Sequence, residues 1–161
     1  MPTSSKPGLY KTILKSQLHE QAFLTHLPIK IMTYDIDVGL VVSNIVYIRW
    51  LEDLRMAMLD KIVSLHQLLQ KGVAPVIAHT EIDYLSPLRY NDNLVASMWV
   101  SELTERKCIV SAKFAAGDRV CAVAQQVAVF VDLNQLCSVN IPEAFANKYK
   151  EYLKLQNKVA P

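Results

Sequence analysis

The stretch Ile29–Arg55, IKIMTYDIDVGLVVSNIVYIRWLEDLR, runs a short alternating segment into an Asp-x-Asp-x-Gly turn and then straight into a long apolar helix. Asp35 and Asp37 stand in the turn, and the helix begins a few residues later. The first N–H groups of a helix have no intrahelical acceptor and carry the positive end of its dipole. A carboxylate set against such a terminus suits chemistry at a carbonyl, because those N–H groups can hold the oxygen on which negative charge develops. One segment thus supplies both a base or nucleophile and an oxyanion site.

Outward from this junction, alternation from Leu27 to Tyr34 predicts a strand entering the turn. Beyond it, apolar residues at 47, 51, 54, 58, 62, 65 and 69 recur at steps of three and four. That is one helical face packed on a core. Ser43 and Asn44 are good N-cap types and Gly72 is a suitable stop, so the pattern predicts one helix over 45–71. Such a helix would be roughly 40 Å long, and only a curling sheet could cover it.

After Gly72 the pattern turns to strands: Val76–Leu85, Leu94–Leu103, Lys107–Ala115 and Arg119–Asp132. Gly117-Asp118 fits a two-residue hairpin, and Thr104-Glu105-Arg106 marks another reversal. The strand VCAVAQQVAVFV, with Gln125 and Gln126 its interior polar residues, reads as central or interfacial. Pro142 could open a C-terminal helix with Phe145, Tyr149 and Leu153 on one face, a solvated cover. Leu9 and Ile13, with Leu14, Leu18, Ala22 and Phe23, allow a short amphipathic helix near the start. The chain therefore divides into an extension over 1–27, a domain over 28–135 and a tail over 136–161.

Composition fits one α+β domain: 161 residues, 52% of them hydrophobic, can bury a substantial core. With 17 basic and 15 acidic residues the net charge is +2, which gives no reason to expect nucleic acid as partner. Cys108, Cys121 and Cys137 form no metal spacing and cannot all pair, so a reducing cytoplasm is expected. No signal-peptide pattern and no membrane-spanning run is evident. There is no phosphate loop, no metal-ligand cluster and no Gly-x-Ser-x-Gly elbow, so neither a metal nor a redox cofactor is implied.

Asp35, Asp37, Asn44, Tyr47, Trp50, Glu52 and Arg55, followed by Tyr84, Pro87 and Asp92 in TEIDYLSPLRYND (Thr80–Asp92), resemble the signature of the hot-dog acyl-CoA thioesterases of the 4-hydroxybenzoyl-CoA thioesterase-like family. The resemblance implies a hot-dog fold, an antiparallel five-stranded sheet wrapped around a long central helix. It implies hydrolysis of an acyl-CoA to free acid and CoA, with coenzyme A as part of the substrate. Asp37 is the implied nucleophile or general base, and the Asn44 amide the oxyanion donor. Gly39, Ser43, Tyr47 and His79 are candidates to meet the substrate, and Lys107, Arg89, Arg106 and Lys113 are candidates for the CoA phosphates, none of them fixed by a motif and backbone amides being the alternative.

The implied assembly is a homodimer or homotetramer with sites at subunit interfaces. The chain departs from the family in placing Leu40 and Asn44 where many relatives have Gly and His or Tyr. Glu52 and Arg55, spaced i and i+3, read as an exposed structural ion pair. Two alternatives stay open: a hot-dog dehydratase or hydratase on acyl thioesters, and a non-catalytic acyl-CoA-binding hot-dog protein.

Overall fold

The computed structural model describes residues 8–15 and 21–159. Helix α1 (Leu9–Lys15) precedes strand β1 (Ala22–Ile29), a 3-10 turn (Thr33–Asp35) and helix α2 (Asn44–Leu59). Then come α3 (Leu65–Gln70), β2 (Val73–Tyr84), β3 (Leu94–Leu103), β4 (Cys108–Ala116), β5 (Arg119–Asp132), the short β6 (Cys137–Val139) and α4 (Glu143–Val159). The sheet order is β1-β3-β4-β5-β2, antiparallel at every junction, with β6 paired to β5.

Helix α2 buries Val46, Tyr47, Trp50, Leu51, Leu54, Met58 and Leu59 in one core with Met98, Val110, Phe114 and Phe130 of the sheet. A sheet folded over a helix is the hot-dog arrangement, and it explains the long apolar stripe of α2. Both outer strands, β1 and β2, are sheet edges.

Register defines two ends of the sheet. At one end Ile29 pairs with Leu94, Leu94 with Ala116, and Ala116 with Arg119, while Tyr84 closes the row against Ala122. At the other, Leu103 pairs with Cys108, Cys108 with Ala128, and Ala128 with Ile77. The hairpins at Gly117-Asp118 and 104–107 lie where the sequence places them; in the second, Thr104 exchanges backbone and side-chain bonds with Lys107.

Three expectations need correction. The first strand ends at Ile29 rather than Tyr34, because the Asp35 carboxylate accepts from the Met32 N–H (2.9 Å) and curls Thr33–Asp35 into a 3-10 turn. It also begins at Ala22, so β1 lies mostly within what composition marks as a leading extension. The predicted helix over 45–71 is two helices: α2 stops at Leu59, and α3 restarts behind Ser64, whose side chain accepts from the Gln67 N–H. The stripe 62, 65, 69 does not continue as one buried face across the break: Ile62 is buried, but beyond Ser64 the new helix buries Leu68 and leaves Leu69 47% exposed.

The amphipathic leader is borne out in part. Leu9 and Ile13 of α1 cover Trp99 and Val123 on the sheet face away from α2, while Leu14 is exposed and Ala22 and Phe23 belong to β1. Leu18 lies outside the described residues. Among those described, no helix is long and apolar enough to cross a membrane.

Candidate active site

The junction between β1 and α2 is a small hairpin. Ile36 bridges Val42, the Asp37 N–H donates to the Val41 carbonyl (2.9 Å), and the Ser43 N–H donates to the Asp35 carbonyl (2.9 Å). Asp35 is 4% exposed and spends its carboxylate on the Met32 N–H and on Arg49 (3.4 Å), a structural use. The 3-10 turn thus separates the surroundings of the two acids: Asp37 is exposed on the protomer surface. One Asp37 oxygen accepts from the Gly39 N–H at 2.7 Å. Leu40, where many relatives have glycine, takes φ +60, so the turn keeps a left-handed residue without one.

Ser43 is the N-cap of α2, yet its side chain caps nothing. The Val46 N–H turns back to the Ser43 carbonyl, and among the described residues nothing accepts from the N–H of Asn44 or Ile45. Two bare donors and the positive end of a sixteen-residue helix therefore sit at the end of the Asp37 hairpin.

This terminus is held from two directions. The Tyr84 hydroxyl, at the end of β2, donates to the Asn44 carbonyl (3.0 Å). From the loop over residues 85–93, the Leu88 carbonyl accepts from the Val42 N–H (2.8 Å). That loop is in turn held by Arg119, which donates to the Pro87 carbonyl and Ser86 Oγ and pairs with Asp92 at 2.8 Å. The Arg89 N–H also bonds Asp92, and these two contacts hold its carboxyl below the usual range.

The other expected site residues are spread out. Tyr47 is packed edge-to-face on Trp50, Tyr84 and Phe114 at 5.1–5.3 Å, and burial pushes its hydroxyl far above the ordinary tyrosine range. His79 is exposed on edge strand β2, at a bulge where the pairing with β5 shifts register. Lys107 is at the end of the sheet opposite Asn44, with the nine residues of β4 between, so the protomer does not bring it to Asp37. Arg106 is occupied by the carbonyl and hydroxyl of Ser138.

Glu52 and Arg55 do pair, but the pair is not simply exposed: the Arg55 side chain is 15% exposed and Nη1 donates to Gln126 Oε1 at 2.6 Å. Gln126 Nε2 donates onward to Thr80 Oγ1 (3.0 Å). Sequence reasoning missed this network and the Arg119 clamp. The signal for the first was a glutamine in an otherwise apolar central strand; the second involves residues far apart in the chain and left no local pattern.

Comparison with known proteins follows the same line. A family model described as the thioesterase-like superfamily matches residues 31–149. No curated protein matches. Among solved structures, a gentisyl-coenzyme A thioesterase is 20% identical with a TM-score of 0.66, covering 75% of this chain and 97% of its own. A 1,4-dihydroxy-2-naphthoyl-CoA thioesterase from Synechocystis is 16% identical with a TM-score of 0.70, covering 81% and 96%. A mutant 4-hydroxybenzoyl-CoA thioesterase complexed with 4-hydroxybenzoyl-CoA is 16% identical with a TM-score of 0.71, covering 80% and 99%. At these identities the likeness is one of fold.

Proposed function

The chain belongs to the thioesterase-like superfamily, and from that premise we propose that it is an acyl-CoA thioesterase whose chemistry runs between Asp37 and the start of α2. The observation that carries the reading is the pair of unclaimed N–H groups at Asn44 and Ile45, beside a hairpin that presents an exposed carboxylate. The thioester oxygen would accept from the helix start while Asp37 attacks the carbonyl carbon or takes a proton from an attacking water. The C–S bond then breaks, and the CoA thiolate leaves and is protonated. When Asp37 attacks directly, water completes the reaction by releasing the acid from the acyl-carboxylate anhydride. Gly39 fixes the carboxylate, and Ser43 leaves the terminus uncapped.

A single protomer leaves this site open. Tyr34, Val38, Leu40 and Ile45, in the chain segment that carries Asp37, are 71–105% exposed, an apolar surface suited to burial against another subunit. Strand β2, twelve residues long, is an unpaired edge. The reading therefore includes a homodimer joined antiparallel through β2, further assembly to a tetramer being compatible with it. His79 and Lys107 would meet substrate from the second copy. A cytoplasmic setting accords with three unpaired cysteines. Coenzyme A enters as part of the substrate, and the reading requires no metal or redox cofactor.

The test is thiol release across a panel of acyl-CoA thioesters, with enoyl- and hydroxyacyl-CoA included and products identified. Free CoA and free acid are expected. Water addition or loss on the acyl chain would assign a hydratase or dehydratase instead, and tight binding without thiol release a non-catalytic carrier.

A further inference from the structure

A second feature lies at the other half of α2. Between this helix, the sheet and α4 is a cavity of about 320 Å³, walled by Met56, Leu59, Ile77, Val110, Phe130 and Phe145. We propose that it receives the far end of an aliphatic acyl chain and that Phe145 sets the length it accepts; this rests on the thioesterase reading above and gives it a substrate class. The volume falls at the small end of ligand pockets.

The lining argues for hydrocarbon. Its charged members, Glu52 and Arg55, stand at its open side, where Glu52 Oε2 accepts from Arg55, Arg55 donates on to Gln126 and Gln126 to Thr80. A ring hydroxyl carried past them would lose its water and meet thioether, alkyl and phenyl groups, a desolvation left uncompensated. Methylene groups gain from the same surroundings, and Met56 can adapt to chains of differing shape.

Closure of the far side comes from outside the sheet. Phe145, 3% exposed, stands edge-to-face on Phe130 with ring centroids 5.9 Å apart. The segment leading into α4 is tied down where the Ile141 N–H donates to the Glu105 carbonyl (2.8 Å), so the ring is a fixed stop.

The open side is at Glu52, whose side chain is 58% exposed, and at Val76 of β2, 43% exposed. Tyr84 joins the end of β2 to the start of α2, whereas the cavity lies by the beginning of β2 and the later turns of α2. In an antiparallel β2 pair, the second copy's α2 start is carried toward this opening. A thioester held there can pass its chain inward. Within one chain, the path from Asn44 to Glu52 already spends about 12 Å along the helix.

The experiment measures kcat/KM for butanoyl- through hexadecanoyl-CoA and for benzoyl-CoA, on the wild type, Phe145→Ala, the milder Phe145→Leu, and Ala128→Leu, which builds side chain into the cavity. The expected wild-type profile favours an intermediate aliphatic chain over benzoyl-CoA. Removing the ring should move the peak to longer chains, with about tenfold relative gain for the longest, and Ala128→Leu should move it to shorter ones. Preference for benzoyl-CoA, or variants that scale every substrate by one common factor, would overturn the proposal. Binding of a non-hydrolysable decyl-CoA thioether gives a readout separate from hydrolysis. Wild-type binding weakened about tenfold or more in Ala128→Leu supports the cavity assignment even if no thioester is cleaved, and equal binding by both, or none by either, contradicts it.

Discussion

At the scale of single residues, Gly39 governs how Asp37 is presented. Its N–H holds one carboxylate oxygen at 2.7 Å, and a Cβ built at this glycine would lie 3.1 Å from that same oxygen. Gly39→Ala must therefore displace the carboxylate, and a misplacement of a few tenths of an ångström is costly to positioned chemistry. The expected outcome is a fall in kcat of about tenfold, with the urea midpoint close to wild type. Thiol reactivity makes a second prediction. Burial pushes the Cys108 thiol up to about 12 and raises Cys121 as well, while Cys137 is exposed. Because the thiolate is the reactive form, a thiol reagent at neutral pH should modify Cys137 in the folded protein and reach the other two only after denaturation. Peptide mapping of the labelled chain checks this.

Among the elements, the loop over residues 85–93 is the support on which the α2 start rests, and the Asp92–Arg119 pair is its fastening. Asp92 is held below the usual carboxylate range first by the Arg89 N–H and then by Arg119. A depressed carboxyl stabilises the fold above its unfolded-state value, near pH 4, and that contribution is lost as pH falls through the lower folded value. Asp92→Asn should therefore be less stable than wild type at pH 7, and the gap should close as both are unfolded at progressively lower pH below about 4. A gap independent of pH would remove the carboxylate from the account.

The same elements show what was legible beforehand. Strands β3 and β5 begin and end where alternation and turn residues put them, because hairpin chemistry at 104–107 and 117–118 is local. The break in the helix was hidden because apolar residues recur at steps of three and four straight across it, whereas Ser64 starts a new helix that buries Leu68 in place of Leu69. The candidate site was legible as a carboxylate-bearing turn running into a helix. What could not be read was that the Asp35 side chain would curl its own backbone and part the two acids, or that Arg55 would turn inward to Gln126. These depend on contacts between segments far apart in sequence, or on a local bond that competes with strand geometry.

On the scale of the whole molecule, the protomer is a sheet with a bare twelve-residue edge and an apolar surface in the segment that carries its candidate carboxylate. Sedimentation equilibrium should return an even multiple of the 18.2 kDa chain, and a monomer at micromolar concentration would contradict the β2-paired dimer. In the proposed dimer the acid, the helix start and the apolar cavity would lie along one path for a thioester. The account is tested most directly by thiol release from its best acyl-CoA substrate, wild type against Asp37→Asn, with circular dichroism and oligomeric mass matched. The predicted result is a loss in turnover of at least about a hundredfold with folding and assembly intact. Turnover retained by the amide variant would show that the carboxylate does not carry the reaction.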